Sequence, residues 1–252
     1  MIDFEKVSLD FMIIGAARCG TSSLVKYLNE YEDVFIPVNV EPNFFFKEDE
    51  YEKGLEYYCN KYFSDANKKV IGEKSSSYLY GGEKTAKRIK SEFPDVKLVI
   101  LLRNPISRVF SNYMFTVKNG IEVLDFNYVI KNEKERTKHY IDKWVNIKPY
   151  NYIGRSEYFS QMKAYLDNFD LNNIHIVVFE ELISSPRESL SQLSEFLGIE
   201  YNDKIEFMKT NFTDNSITID EDSYNYLYDE LIGDVNKLSN LIGKDLAKIW
   251  NL

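Results

Sequence analysis

Residues 10–24 read Asp-Phe-Met-Ile-Ile-Gly-Ala-Ala-Arg-Cys-Gly-Thr-Ser-Ser-Leu, and this stretch decides the fold that the sequence predicts. The apolar run from Phe11 to Ile14 has the length of a buried strand, and Gly15 follows it. Gly20 then precedes a segment whose apolar positions recur at helical spacing. We therefore predict a strand, a tight loop and a helix N-terminus, where backbone N–H groups without intrahelical partners and the helix dipole attract a phosphate group.

The loop differs from the Walker A loop of nucleoside triphosphatases. Gly15 and Gly20 have the separation of G-x-x-x-x-G-K-[ST], but Thr21 and Ser22 follow where that motif has lysine and then serine or threonine. Arg18 supplies a cation inside the loop instead. On these residues alone, a strand-to-helix turn with a capping hydroxyl is an equally good interpretation, so the rest of the chain must decide between them.

The composition is that of a folded protein without an extended basic surface. With 252 residues, 44% of them hydrophobic and 15% aromatic, we expect one large domain over residues 1–252. The net charge of −9 argues against a nucleic acid partner. No run of eighteen apolar residues and no basic leader are present, so we expect a cytoplasmic protein without a transmembrane segment, or a chain without its anchor.

Cysteine and histidine do not form a metal-binding pattern. Cys19 and Cys59 are forty positions apart, without the spacing of a disulfide framework or a zinc site. Of the two histidines, His139 and His175, the second stands in a strand-like segment, and a structural role is favoured for both over that of a catalytic base. We therefore expect no metal site.

Strands alternate with helices along the chain, which predicts an α/β fold with a central parallel sheet flanked by helices. Charged residues follow three of the predicted strands: Arg18, Glu73 with Lys74, and Arg103. Because ligands bind at the carboxyl ends of parallel strands, we expect these residues to line one crevice. Further helices are predicted at 50–64, 83–93, 156–169, 186–197 and 221–250, and the polar residues 119–150 are expected to form helices that cover or gate the site.

A carboxylate at Glu41 stands just before Pro42 and three phenylalanines at 44–46. The residue before proline avoids the helical region, so Glu41 is expected in extended backbone beside apolar neighbours. Taken alone, these residues favour a solvated loop carboxylate next to an aromatic cluster that fills the core.

Together these segments resemble the sulfotransferases that use 3′-phosphoadenosine-5′-phosphosulfate (PAPS), above all the heparan-sulfate-type and bacterial carbohydrate enzymes. Residues 15–24 match their 5′-phosphosulfate loop, G-x-x-[KR]-x-G-T-[TS]-x-L, and residues 97–113 match their 3′-phosphate element, an Arg-[ND]-Pro followed by serine. Residues 41–45 resemble the E-x-[HQ]-F-F segment that carries the catalytic base, and residues 72–75 resemble the E-K-[ST]-P segment. Residues 152–199 resemble the family's downstream helix, strand and helix.

The resemblance implies a P-loop-like fold and transfer of a sulfuryl group from PAPS to a hydroxyl or amine, with adenosine 3′,5′-bisphosphate released and no metal required. It implies that Glu41 is the catalytic base, that Lys74 orients the acceptor, and that Arg18 stabilises charge on the leaving group. The residues implied to bind the donor nucleotide are Arg18, Cys19, Gly20, Thr21, Ser22, Ser23, Arg103, Ser111 and Arg155. A saccharide or polysaccharide acceptor is favoured, while its identity and the oligomeric state stay open.

The chain departs from the family pattern at three places. Arg18 stands where many members have lysine, and Asn43 stands where many have histidine. The basic loop that often precedes the last helix is missing from residues 211–220, so Arg155 or Lys209 is the candidate for the adenosine end.

Two other functions are weighed against this one. A P-loop kinase or NTPase needs a lysine after Gly20 and a magnesium-binding acidic strand end, and the sequence shows neither. A non-catalytic nucleotide-binding protein would keep the fold and the nucleotide but would have no transfer activity to lose on Glu41→Gln.

Overall fold

The computed structural model of the protein describes residues 8–138, 148–207 and 219–252. The described chain divides into two compact units. The first contains the described residues up to Leu102 together with Gln161–Phe207, and the second contains those of Arg103–Ser160 and those from 219 onward.

The first unit is built on a sheet that has five strands within the described residues. These strands are β1 (Phe11–Gly15), β2 (Val34–Phe35), β3 (Val70–Lys74), β4 (Lys97–Leu102) and β5 (Ile174–Val178). Their order is β2-β3-β1-β4-β5, and every pairing is parallel. The predicted α/β fold with a central parallel sheet is confirmed, and the stretch quoted first supplies the middle strand.

The register of the sheet places the ends of β1 and β3 side by side. Met12 lies opposite Glu73 and Ile13 opposite Lys74, and the N–H of Ser75 donates to the carbonyl of Ile13 at 3.1 Å. The residues of β1 are buried on both faces, as expected of a central parallel strand. The loop after β1 and the polar residues after β3 therefore leave the same edge of the sheet.

The helices of the described residues vary from one to six turns in length. In chain order they are α1 (Thr21–Leu28), α2 (Glu48–Tyr51), α3 (Gly54–Phe63), α4 (Gly82–Glu92), α5 (Pro105–Lys118), α6 (Phe126–Lys131), α7 (Glu133–Arg136), α8 (Tyr158–Leu166), α9 (Phe179–Ser184), α10 (Pro186–Leu197), α11 (Glu221–Ile242) and α12 (Leu246–Trp250). The predicted helix 186–197 has the predicted bounds, and Gly198 follows it.

Three predicted helices differ from the structure. The segment 50–64 is divided between α2 and α3, because Gly54 has a φ of +83°, a conformation that glycine adopts readily and other residues rarely adopt. The segment 156–169 begins its helix later, since Gly154–Ser156 form a separate 3₁₀ turn. The helical pattern over 221–250 is divided between α11 and α12.

The expected helical region 119–150 contains α6 and α7, while residues 139–147 lie outside the described residues.

The second unit packs α5, α6 and α11 around a core of its own. The core residues are Ile106, Val109, Phe126, Val129, Ile130, Tyr152, Ile153, Leu227 and Leu231. Helix α5 begins as predicted with Pro105 in its first turn, and the Asn104 side chain caps it by accepting from the N–H of Ser107 at 3.1 Å. Across residues 8–138, 148–207 and 219–252, no helix has both the length and the hydrophobicity of a membrane span.

Candidate active site

The loop after β1 leads into α1, whose N-terminus has the features of an anion site. Gly20 is the residue before the helix, and its carbonyl accepts from the N–H groups of Ser23 and Leu24 at 3.0 and 3.1 Å. The first turn carries no acidic side chain. The first N–H groups of a helix have no intrahelical acceptor, so this end of α1 offers donors and a positive dipole end to an anion.

Gly20 is required at this point for two independent reasons. Its φ of +90° lies in the left-handed region, and a Cβ atom there would lie 2.7 Å from the ring of Phe179, the first residue of α9. Arg18, two residues earlier, is exposed and has a φ of +72°. Cys19 is fully buried, and its N–H donates to the carbonyl of Ala16 at 3.2 Å.

Glu41 is held at the carboxyl end of β3. The ammonium group of Lys74 donates to its Oε1 at 2.5 Å, the hydroxyl of Ser76 donates to the same oxygen at 2.9 Å, and the N–H of Ser76 donates to Oε2 at 3.1 Å. The side chains of Glu41 and Lys74 are 32% and 10% exposed. Glu41 thus lies in a loop and is partly exposed, as its local sequence favours, but partners more than thirty residues away hold its carboxylate in place.

Ser76 also connects Glu41 to the start of α1. Its hydroxyl oxygen lies 3.2 Å from that of Thr21, the first residue of α1, and both residues are buried. A continuous series of hydrogen bonds thus runs from the start of α1 through Ser76 to Glu41 and Lys74. All four residues belong to the first unit.

The backbone around Glu41 is fixed by Asn43. The N–H of Asn43 donates to the hydroxyl of Ser75 at 2.8 Å, and its side-chain amide donates to the carbonyl of Glu41 at 3.2 Å. Asn43 has a φ of +50°, a conformation that asparagine tolerates better than most residues. The adjacent Phe44 and Phe45 are buried, as predicted for the aromatic cluster.

Glu73, which precedes Lys74 in β3, carries a buried carboxyl group. It accepts from the hydroxyl of Ser75 at 2.5 Å and from the hydroxyl of Tyr58, and none of its surface is exposed. Burial raises the pKa of Glu73 to about 7, although these hydroxyls and that of Tyr78 favour the charged form and oppose the shift. Glu73 supports the segment of Glu41 through Ser75.

Arg103 and Ser111, predicted to bind the 3′-phosphate, and Arg155, a candidate for the adenosine end, belong to the second unit. Arg103 follows the last residue of β4, and its carbonyl accepts from the hydroxyl of Tyr158 at 3.0 Å. Ser111 is a half-buried residue of α5. Arg155 lies in the 3₁₀ turn Gly154–Ser156 and is only 8% exposed.

Two buried ionisable side chains, Arg108 and Glu133, hold the turn of Arg155 in place. The guanidinium of Arg108, on α5, donates to the hydroxyl of Ser156 at 2.6 Å and to the carbonyl of Tyr152 at 2.8 Å. The carboxyl of Glu133 accepts from backbone N–H groups of the same segment, including that of Gly154 at 3.0 Å. Burial raises the pKa of Glu133 to about 7, and its backbone donors and the charge of Arg108 oppose the shift.

The structure thus brings Glu41 and Lys74 together with the start of α1, at the carboxyl ends of β1 and β3. Ser76 and Glu73 are parts of this arrangement whose roles the sequence analysis missed, since a run of three serines after Lys74 gives no signal of which hydroxyl points at which carboxylate. Lys209 and His139 lie outside the described residues. The expectation that Glu73 lines the crevice is wrong, because this residue lies inside β3 and is fully buried. That one crevice contains the other predicted residues, and that no metal is required, both stay predictions.

Comparison with known proteins assigns the chain to a family. The family model described as "Sulfotransferase domain" matches residues 8–247. A sulfotransferase of known structure from Alicyclobacillus acidocaldarius is 30% identical, with a TM-score of 0.80 over 97% of this chain and 99% of that one. A sulfotransferase domain from the curacin biosynthetic pathway shares the fold at 14% identity and a TM-score of 0.56, covering 95% and 99% of the two chains.

Curated relatives are longer than this chain. Human heparan sulfate glucosamine 3-O-sulfotransferase 3B1 is 31% identical over 189 residues, which are 75% of this chain and 45% of the human protein. The membrane-associated sulfotransferase kil1 of Dictyostelium discoideum is 24% identical over 94% of this chain and 65% of its own length. Because the family model covers nearly the whole sequence, the chain belongs to the sulfotransferase domain family.

Proposed function

We propose that the protein transfers a sulfuryl group from PAPS to a hydroxyl or amine of a carbohydrate acceptor. The observation that carries the proposal is the series of hydrogen bonds that joins Glu41, through Ser76, to Thr21 at the start of α1. Group transfer requires the acceptor and the donor phosphate to be held next to each other, and a base on the acceptor side. A carbohydrate acceptor is supported by relatives that are named for the glucosamine of heparan sulfate.

The donor nucleotide is proposed to be held at both of its phosphate ends. The backbone N–H groups at the start of α1 and the hydroxyls of Thr21 and Ser22 suit the 5′-phosphate, because they are neutral donors beside a positive helix end. The proposed 3′-phosphate ligands are Arg103 and Ser111, with Arg155 as a further cation near the adenosine. These three assignments come from the sequence pattern, and the guanidinium fork suits phosphate oxygens.

The proposed reaction needs one base and positive charge at the leaving group. Glu41 takes the proton from the acceptor hydroxyl, the acceptor oxygen forms a bond to sulfur, and the bond between sulfur and the bridging oxygen of the 5′-phosphate breaks. The negative charge that develops on the departing adenosine 3′,5′-bisphosphate is stabilised by Arg18 and by the N-terminus of α1. Lys74, a donor only, orients the acceptor oxygen next to Glu41.

A transfer assay tests the proposal. Purified protein is incubated with PAPS carrying a labelled sulfuryl group and with polysaccharides, oligosaccharides and phenols, and the label in each acceptor is measured. Binding of adenosine 3′,5′-bisphosphate is measured in parallel by calorimetry. Label in a saccharide supports the proposal, label only in a phenol corrects the acceptor class, and nucleotide binding without transfer to any acceptor supports a binding protein instead.

A further inference from the structure

We propose that Ser76 is a positioning residue that holds the carboxylate of Glu41 and links it to the phosphate loop. This inference rests on the proposed function, in which Glu41 is the base. Ser76 itself touches neither reacting group in this scheme, and it acts on the reaction through Glu41.

The two donors of Ser76 fix the orientation of the carboxylate. Its hydroxyl lies 2.9 Å from Oε1 of Glu41 and its N–H lies 3.1 Å from Oε2, so each carboxylate oxygen has its own donor from the same residue. Lys74 reaches only Oε1 and is a flexible side chain, which leaves rotation of the carboxylate open. Ser76 is 6% exposed and its N–H is part of the backbone, so both donors are held by the fold.

The direction of the hydrogen bonds connects this residue to the donor site. An ionised carboxylate only accepts, so the hydroxyl hydrogen of Ser76 points at Glu41. The Ser76 oxygen can then only accept from Thr21, whose hydroxyl is 3.2 Å away. When the 5′-phosphate binds at the start of α1, the Thr21 hydroxyl gains a charged acceptor in competition with Ser76. Binding of the 5′-phosphate therefore changes the hydrogen bonding of Ser76, and through Ser76 that of the base Glu41.

This residue is also where the chain differs from the E-K-[ST]-P segment that residues 72–75 resemble. Ser76 occupies the position of the proline in that pattern. Proline has neither an N–H group nor a hydroxyl, so it cannot form either of the two bonds to Glu41. Within residues 8–138, 148–207 and 219–252, the carboxylate of Glu41 accepts hydrogen bonds from Lys74 and from the hydroxyl and N–H of Ser76 only.

Steady-state kinetics of substitutions at Ser76 test the inference. Ser76→Ala removes the hydroxyl, and Ser76→Pro also removes the N–H. Ser77→Ala is the matched control, because the hydroxyl of the neighbouring Ser77 forms no hydrogen bond within the described part of the chain. We expect kcat at saturating donor to fall about tenfold in S76A and about a hundredfold in S76P, the size of effect that a misplaced catalytic group produces. The Kd of adenosine 3′,5′-bisphosphate should stay within about threefold of the wild-type value in all three.

A conservative variant and a crystal structure keep the test decisive. Ser76→Thr retains both donors and should restore kcat to within about threefold of the wild-type value. A kcat of S76A equal to that of S77A, or a kcat of S76T equal to that of S76A, overturns the inference. If the wild-type protein transfers no sulfuryl group, the proposed function fails, and the crystal structures of the wild type and S76A then decide the positioning role: a Glu41 carboxylate in the same place in both overturns it.

Discussion

The ammonium group of Lys74 lies 2.5 Å from Oε1 of Glu41, and only 10% of the Lys74 side chain and 32% of the Glu41 side chain are exposed. A charge pair that is partly shielded from water interacts more strongly than one on an open surface. Because the two residues stand side by side, an acceptor hydroxyl that reaches Glu41 also meets Lys74. In the proposed reaction, this pair would both remove the proton from the acceptor and orient the oxygen that loses it.

Glu41→Gln should abolish transfer while the nucleotide still binds. The amide cannot accept a proton, so we expect kcat to fall by about 10² to 10⁴, the contribution of a positioned general base. The Kd for adenosine 3′,5′-bisphosphate, measured by calorimetry, should not change, and Glu52→Gln, which removes an exposed carboxylate of the same type, is the control. An E41Q protein with the turnover of E52Q would falsify the assignment of the base.

Lys74→Gln should lower kcat and raise the KM of the acceptor together. The substitution removes the positive charge next to Glu41 but leaves the two bonds from Ser76 in place, so the base stays and the orientation of the acceptor is lost. We expect kcat/KM for the acceptor to fall about tenfold to a hundredfold, with Lys74→Arg retaining more activity because it keeps a charged donor. Equal values of kcat/KM for K74Q and the wild type contradict this role.

Arg103→Ala should remove the preference for a 3′-phosphate. Adenosine 3′,5′-bisphosphate and adenosine 5′-phosphate are compared by calorimetry. If Arg103 binds the 3′-phosphate, the bisphosphate loses about tenfold or more in affinity, as expected for a charged hydrogen bond, and the monophosphate loses none. Arg18→Ala provides the complementary comparison, since it should lower the affinity for both nucleotides. An R103A protein that still prefers the bisphosphate as the wild type does rejects the assignment.

The sheet and the loop between β1 and α1 were predictable from the sequence because their signals are local. The apolar runs at 11–14 and 97–102 form buried strands, and Gly20 stands before α1, as the spacing of the two loop glycines indicated. Helix ends were less predictable. Whether a polar helix continues through residues 52 and 53 depends on the left-handed conformation of Gly54, which the periodicity of the neighbouring aromatic residues does not reveal.

The environment of Glu41 was not predictable in the same way. Its local sequence favours a solvated loop, and the partners that fix it lie at the end of a strand more than thirty residues later. The burial of Glu73 was equally hidden, because a charged residue at a strand end is as consistent with a surface ion pair as with a buried carboxyl that accepts from Ser75 and Tyr58. These contacts depend on how the loop of Glu41 and helix α3 pack against the end of β3, which no pattern within the strand contains.

Gly20→Ala should destabilise the protein through both the backbone and Phe179. A Cβ atom there would lie 2.7 Å from the Phe179 ring, and the residue would keep a φ of +90°. We expect the free energy of unfolding in urea to fall by about 1–3 kcal/mol.

In a Phe179→Leu background the loss of unfolding free energy caused by G20A should be smaller but should not vanish, because only the contact with the ring is relieved and the strained φ remains. Gly233→Ala, in the interior of α11 with open space around it, is the control and should stabilise slightly. An equal cost of G20A in both backgrounds contradicts the contact with Phe179.

Glu73 should make the stability of the protein depend on pH. Burial raises the pKa of Glu73 from 4.5 to about 7, so the folded state binds the proton more tightly than the unfolded state. The stability that this group contributes is fully present below about pH 4.5 and is lost as the pH rises through about 7. Across this window the wild-type protein should lose about 3 kcal/mol of unfolding free energy relative to Glu73→Gln, whose amide does not titrate.

Urea unfolding of the wild type and E73Q at pH 5 and pH 8 measures this difference. Glu133 titrates in the same range, with a pKa of about 7, but it is present in both proteins and cancels in the comparison. Glu52→Gln removes an exposed carboxylate and controls for the loss of one charge. E73Q should gain stability relative to the wild type between pH 5 and pH 8, whatever its constant offset from the altered hydrogen bonds to Ser75 and Tyr58. A difference between the two proteins that is the same at both values of pH means that Glu73 is ionised throughout, and that the hydroxyls around it, rather than a proton, satisfy the buried carboxyl.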